Sequence, residues 1–237
     1  MIDACDTCQV TTLLLARHGL TDLTGPVLAG RTPGVHLSEA GRAQATALAA
    51  RVAGVRLDAI VSSPLERCRE TAQAVAEGRE MEVRVDDRFI ECGYGGWTGR
   101  PLKELAKEPL WQVVQAHPSA ATFPEGESLS DMQHRAVAAV REWNHRLGEK
   151  AVYLVCSHGD VIKSIVADAL GLHLDQFQRI TADPAAVTVI RYAPLRPFVR
   201  RLNDMGELKL DEDSEEKDGG ENITGSDAAV GGGPGTT

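Results

Sequence analysis

The chain has 237 residues and a formal charge of −9; 43% of its residues are hydrophobic and only 4% aromatic. That length suits one large domain or two small ones, and an aliphatic core suits a helix-covered parallel sheet better than an aromatic-rich sandwich. The charge is uneven: residues 211–237 hold eight acids and one base, so they carry −7 and leave −2 for residues 1–210. A near-neutral body lacks the basic stripe that nucleic-acid binding requires. No run approaches the roughly 18 apolar residues of a membrane span, and no signal-peptide pattern opens the chain. Five cysteines at scattered positions fit a reducing compartment, so the expected location is the cytoplasm.

Residues 1–9 lack periodicity and read as a disordered leader. Cys5-x-x-Cys8 has no second Cys or His pair at finger spacing, so no metal is expected there. The apolar run Val10 to Ala16 predicts a buried strand that ends in Arg17-His18-Gly19. A polar loop follows to about Leu37, then a helix capped by Ser38 that runs to Gly54. Asp58 to Val61 predicts a short buried strand. Ser63 is the expected cap of the next helix, with Pro64 at its first position and its end near Gly78. Glu82 to Val85 alternates like a strand, and Glu91 to Gly99 is a glycine-rich loop.

Residues 101–117 predict short helices broken at Pro109 and stopped by Pro118. Ser128 to Asp131 resembles a capping box, opening a helix that stops at Gly148. Val152 to Cys156 predicts a second buried strand, which leads into Ser157-His158-Gly159-Asp160 and a helix to Leu170. Val187 to Tyr192 and Phe198 to Leu202 read as strands. The alternation is βαβα with an inserted helical region, hence the α/β class. Residues 211–237 are acidic, then rich in Gly and Thr, and read as a disordered tail.

The same pattern thus occurs twice: an apolar strand, then His-Gly at its carboxyl end. That edge of an open α/β sheet is where ligands bind, because loops converge there on helix amino termini. A phosphate site needs donors that stay protonated, which points to Arg17 and to Arg67 in the first turn of the helix after Ser63. Arg69 competes with Arg67 but projects about 200° away around the helix. His18 is the candidate nucleophile and His158 the candidate donor to phosphoryl oxygens. His36, His117, His134, His145 and His173 read as satisfied, partly buried histidines. Glu91, between an apolar pair and a glycine loop, is the candidate acid and base; Asp86 and Asp87 are the alternatives.

These motifs resemble the histidine phosphatase superfamily, the phosphoglycerate mutase-like proteins, over about residues 10–205. The resemblance rests on Arg-His-Gly at 17–19, Ser-Ser-Pro-Leu-x-Arg-Cys-x-x-Thr at 62–71 and Glu-x-x-Tyr-Gly-x-Trp-x-Gly at 91–99. Gly-Glu-Ser at 126–128 and Ser-His-Gly at 157–159 complete it. It is similar within that family to actinobacterial sequences labelled phosphomutases, a label read as inherited. The resemblance implies a mostly parallel six-stranded sheet with helices on both faces and a small helical cap insertion. On this reading the domain spans 10–210, with the cap at about 100–127. It implies that His18 is phosphorylated, that Arg17, Arg67 and His158 with Gly159 complete the phosphate pocket, and that Glu91 donates the proton. It implies no metal or organic cofactor.

The family often carries Asn six residues beyond the signature histidine, and here that position is Thr24, whose hydroxyl still donates one hydrogen bond. The loop with Gly30 and Arg31 matches the family's substrate side; Arg31 reads equally as a ligand to an anionic substrate group or as a solvated arginine. Tyr94, Trp97, Trp111 and Phe123 read as an apolar rim or as cap core.

Three functions follow. A phosphomonoester hydrolase is favoured over a phosphoglycerate-type mutase by the short insertion and by Tyr94-Gly95-Gly96-Trp97. A non-catalytic binding protein of the same fold is disfavoured by the presence of all five chemical residues. The expected partner is a small phosphorylated substrate, with no nucleic acid and no membrane, and with a homodimer left open.

Overall fold

The computed structural model describes residues 10–208 and 210. The leader at 1–9 with Cys5 and Cys8, and the acidic tail at 211–237, lie outside the described residues.

Six strands form one sheet in the order β3-β2-β4-β1-β5-β6. They are β1 (Thr11–Arg17), β2 (Ala59–Ser62), β3 (Val83–Val85), β4 (Val152–Ser157), β5 (Val187–Tyr192) and β6 (Pro197–Asp204). β1, β2, β3 and β4 run parallel, β5 lies antiparallel to β1, and β6 antiparallel to β5. The register pairs Arg17 with Ser157 and Ser62 with Cys156, so the carboxyl ends of β1, β2 and β4 stop side by side. The chain therefore leaves the sheet at neighbouring points, immediately before His18, Ser63 and His158.

Alternating strand residues divide the core in two, as the period of 2 requires. Leu13, Leu15, Val61, Tyr153 and Val155 pack on one face beneath helices α5 (Leu129–Leu147) and α6 (Gly159–Ala169). Leu14, Ala16, Ile60, Leu154 and Cys156 pack on the other beneath α1 (Glu39–Arg51) and α2 (Glu66–Ala76). The stretch from 100 to 127 forms α3 (Leu102–Leu105), α4 (Pro109–Ala116) and a 3-10 turn at Pro118–Ala120. It contributes Leu105, Val114, Ala121 and Phe123 to the α5–α6 core.

Local signals explain most helix ends. Ser38 and Ser128 accept from the backbone N–H groups of Gly41 and Asp131. Gly148, at φ +79°, stops α5, a left-handed conformation that glycine adopts without penalty. Gly41 is needed for closeness: a Cβ there would sit 1.9 Å from the Leu20 carbonyl oxygen, where the loop after His18 crosses α1.

One expected cap is corrected. Helix α2 begins at Glu66, and its cap position is Leu65, with no side-chain hydrogen bond. Pro64 therefore precedes the helix, and the fully buried Ser63 hydroxyl bonds His158 at 2.7 Å while accepting the Leu65 N–H at a longer 3.4 Å.

Candidate active site

The three strand ends deliver one connected constellation. His18 follows β1 and is 6% exposed; its Nδ1 donates to the Gly19 carbonyl at 2.7 Å. Its other nitrogen, Nε2, receives the Nε–H of Arg67 at 3.3 Å. These two partners fix the tautomer: the proton is on Nδ1 and the lone pair on Nε2. Burial, followed by the charges of Arg67 and Arg17, lowers the His18 pKa to about 3, so the ring is neutral at physiological pH.

Arg67 is 2% exposed, in the first turn of α2 as expected, whereas Arg69 is exposed. Its Nη2 donates to the Gly30 carbonyl at 2.7 Å and to His158 Nδ1 at 3.2 Å. Thr71 braces this corner, donating to the Arg67 carbonyl at 2.7 Å and accepting the Gly19 N–H at 3.1 Å. Arg17 donates through Nη1 to the Ala182 carbonyl at 2.7 Å. Arg17 Nε and Arg67 Nη1 are buried donors with no hydrogen-bond partner among the described residues. Both arginines line a cleft of about 640 Å³ that also contains His18, Thr24, Gly30, Glu91 and Gly159. Two buried unpaired guanidinium donors flanking a neutral histidine are suited to an anion.

His158 is fully buried, with its ring centroid 5.2 Å from that of His18. Its Nδ1 accepts from Arg67, so its Nε2 carries the proton and donates to Ser63 Oγ at 2.7 Å. Desolvation, then Arg67, holds it neutral. His158 was expected to donate to a phosphoryl oxygen; in this arrangement it accepts from Arg67 and so orients that guanidinium.

Glu91 lies across the cleft. Burial, aided by the negative charge of Asp160, raises its pKa to about 7. Its Oε1 accepts the Cys92 N–H at 2.9 Å, and Oε2 lies 3.9 Å from His158 Nδ1, a contact with a neutral ring and so not an ion pair. The Glu91 carbonyl is clamped by Arg31 Nε at 2.8 Å and Arg135 Nη2 at 3.2 Å. Both arginines are anchored on Glu127 Oε1, at 2.7 and 2.6 Å, and the same oxygen accepts the Gly93 N–H. Arg31 thus stands behind Glu91 and not among the residues lining the cleft. The alternative acid Asp86 is engaged by Arg88 and by Trp143 Nε1.

Thr24 turns its hydroxyl back to Thr21, with 3.0 Å contacts to both the Thr21 N–H and hydroxyl. Tyr94, Trp97 and Phe123 are core, and Trp111 stacks on Trp97 with centroids 6.3 Å apart. The five remaining histidines are exposed instead of partly buried; His36 pairs with Glu70, and His117 and His173 face Asp175.

Sequence reasoning missed Ser63, Arg135, Glu127 and the chain Tyr94–Asp160–Lys163. In that chain Asp160 accepts Tyr94 Oη at 2.7 Å and Lys163 Nζ at 3.1 Å. Among the described residues, no three His, Cys, Asp or Glu side chains group as a metal site, and no helix is long and apolar enough to cross a membrane.

A histidine whose lone pair accepts from one buried arginine, with a second arginine and a protonatable carboxyl lining the same cleft, has the equipment for phosphoryl transfer through the imidazole. The family model of the histidine phosphatase superfamily (branch 1) matches residues 13–205. Phosphoserine phosphatase 1 of Hydrogenobacter thermophilus is 33% identical over 197 residues, 81% of this chain and 91% of that protein. The bifunctional protein Rv2228c of Mycobacterium tuberculosis is 35% identical over 208 residues, 84% of this chain but 55% of that longer protein. Among solved structures, Bacillus stearothermophilus YhfR superposes with a TM-score of 0.77 at 29% identity, covering 83% of this chain and 98% of that one. The chain belongs to the histidine phosphatase superfamily and is a phosphatase of that superfamily.

Proposed function

We propose that this protein hydrolyses a small phosphorylated metabolite through a phosphohistidine on His18. The observation that carries the reading is the His18 tautomer, fixed by Gly19 and Arg67, which leaves the Nε2 lone pair on the cleft side of the ring. In the first step Nε2 bonds to phosphorus as the bond from phosphorus to the alcohol oxygen breaks. Glu91, protonated, gives its proton to that oxygen. In the second step the Glu91 carboxylate takes a proton from water as water attacks phosphorus. The phosphorus–nitrogen bond breaks, inorganic phosphate forms and His18 regains its lone pair. Arg17 Nε and Arg67 Nη1 meet the phosphoryl oxygens throughout. His158 holds Arg67 in place through Nδ1. Thr24, Gly30 and Gly159 border the same pocket.

Relatives support the scale of the substrate. One is named phosphoserine phosphatase 1, and another, from Mycolicibacterium vanbaalenii and 31% identical over 178 residues, glucosyl-3-phosphoglycerate phosphatase. Hydrolysis is favoured over mutase action because exposed Gly25, Thr181 and Asp183 line the cleft, which admits water, and a mutase must exclude it. We assign residues 10–210 to the catalytic domain, with 100–127 as its cap, and place the protein in the cytoplasm, where buried, unpaired Cys68, Cys92 and Cys156 are at home.

The test is a brief incubation with a labelled phosphomonoester, quenched in base. Base-stable, acid-labile label on the wild type and none on His18→Ala is expected, with alcohol and inorganic phosphate released in equal amounts. Transfer of label to a second alcohol without free phosphate would establish a mutase, and label retained on His18→Ala would overturn the nucleophile.

A further inference from the structure

Past the phosphate pocket, the cleft has a charge pattern of its own. In the reading proposed above, on which this inference rests, Arg17 and Arg67 are occupied by the phosphoryl group. Among the described residues the one further Lys or Arg lining the cleft is Lys163. It is already engaged: Nζ donates to Asp160 at 3.1 Å and to Gln178 at 2.6 Å, and lies 4.5 Å above the Phe177 ring. Arg31, on the neighbouring loop, is turned to Glu127 and the Glu91 carbonyl.

Two carboxylates besides Glu91 line the cleft, Asp160 and Asp183. Burial works to raise the Asp160 pKa, but the Lys163 charge and the hydrogen bonds from Tyr94 and Lys163 outweigh it and hold this group ionised. Asp183 is exposed at the mouth, where Asn203 Nδ2 donates to its Oδ2 at 2.7 Å. The wall between is aliphatic, built from Leu20, Leu23, Val27, Leu28 and Leu102.

We infer that the alcohol released by this enzyme is uncharged or cationic, and that phosphoesters carrying a carboxylate or a second phosphate are selected against. A second anionic group would leave water beside the exposed Asp183 carboxylate, and beside an Asp160–Lys163 pair already satisfied, without gaining a free cation, which is discrimination by repulsion. An uncharged alcohol meets the aliphatic wall and the amide of Gln178, and an ammonium group meets Asp183. A single like-charge contact at about 4 Å, partly screened by water, is worth about tenfold in relative affinity.

The experiment measures kcat/KM of the full chain at one pH and moderate salt for a nitrophenyl phosphate, glycerol 1-phosphate, phosphoethanolamine, phosphoserine and 3-phosphoglycerate. Glycerol 1-phosphate and phosphoethanolamine should exceed 3-phosphoglycerate by about tenfold or more, with zwitterionic phosphoserine between them. Asp183→Asn, an exposed change, should narrow the ratio of phosphoethanolamine to 3-phosphoglycerate by about threefold or more, and added salt should narrow it too. Asp160→Asn should do the same, read as a ratio because Asp160 also acts on Glu91. Equal or preferred use of 3-phosphoglycerate, with His18-dependent cleavage of the nitrophenyl ester intact, would overturn this inference and leave the phosphatase reading standing. So would an unchanged ratio in Asp183→Asn. Absence of His18-dependent cleavage of any ester would overturn both.

Discussion

Arg67 directs its Nε–H at His18 Nε2 from 3.3 Å while its Nη2 donates to the Gly30 carbonyl and to His158. One guanidinium therefore keeps the nucleophilic nitrogen unprotonated, fixes the second histidine and holds Nη1 in reserve for the phosphoryl group. In the proposed first step, phosphorus bonding to Nε2 would take the acceptor from the Nε–H and offer it a phosphoryl oxygen instead. The contact thus orients the ground state and becomes available to the transition state, where it contributes to rate.

Replacing His18 by Ala should reduce turnover of an aryl phosphate by several orders of magnitude, roughly 10³-fold or more, since among the described residues no other His and no Cys lines the cleft. Circular dichroism and melting should show a folded protein. A variant with normal dichroism that keeps more than about a tenth of wild-type activity would remove His18 from the mechanism.

Glu91 must be protonated to serve the leaving alcohol, and its pKa is raised to about 7 by burial and by Asp160. His18 must be neutral, and its pKa is lowered to about 3. As pH rises through 7 the proton on Glu91 is lost, so kcat/KM for a poor leaving group should fall on the alkaline side. Glu91→Gln should remove that limb and slow glycerol phosphate by about 10²-fold, while slowing a nitrophenyl ester far less. Equal loss with both esters would assign Glu91 a role other than proton donation.

Ser63 is a smaller case with a clean readout. Its hydroxyl takes the Nε2 proton of a fully buried His158 at 2.7 Å. Ser63→Ala leaves that N–H only the weak acceptor Cys68 Sγ at 3.4 Å, which should cost about 1–3 kcal/mol in stability. It should also lower kcat/KM by releasing His158 from Arg67. Ser63→Thr, which restores a hydroxyl, should recover part of both. Unchanged melting and rate in Ser63→Ala would show that His158 needs no such brace.

The placement of the candidate catalytic residues was legible because strand periodicity and sheet topology carry it. An apolar run ending in His-Gly, written at 18–19 and again at 158–159, places both rings at one edge once β1 and β4 pair in parallel. The supporting residues were not legible, because their partners are distant in sequence. Ser63 before Pro64 carries a local capping signal, but its shorter bond is to His158, 95 positions on, and the Leu65 N–H is left at 3.4 Å. The clamp on Glu91 joins Arg31, Glu127 and Arg135, three residues whose types alone suggest a solvated surface. The Gly-Glu-Ser motif at 126–128 was the available sign that Glu127 had a structural task. The other five histidines went to the surface, where Glu70 and Asp175 pair with three of them, because no strand end delivers them to the core.

Chelators should leave turnover unchanged. The charge of the phosphoryl group is met by the buried guanidinium donors of Arg17 and Arg67. Arg17→Ala or Arg67→Ala should instead cost about 10²-fold or more in kcat/KM. Inhibition by a chelator that is reversed by adding a divalent ion would show that an ion shares this task.

Holding His18 neutral links the site to stability. Its folded pKa of about 3 lies below the ordinary 6.5, so between those values the unfolded chain binds a proton that the folded one refuses. Stability is therefore complete above 6.5 and declines as pH falls toward 3, by at most about 1.4 kcal/mol per pH unit for this group. His158, lowered for the same reason, adds to the slope. Glu91 opposes them between 4.5 and about 7, because its raised pKa makes the folded state the better proton binder there. His18→Asn removes one titrating group without removing a polar side chain. Its melting temperature should thus fall less steeply between pH 6.5 and 4 than that of the wild type, even if it is lower at neutrality. Parallel melting curves for the two proteins across that range would mean that His18 takes up its proton as readily in the folded protein as in the unfolded chain. The buried, neutral imidazole on which the nucleophile argument depends would then be wrong.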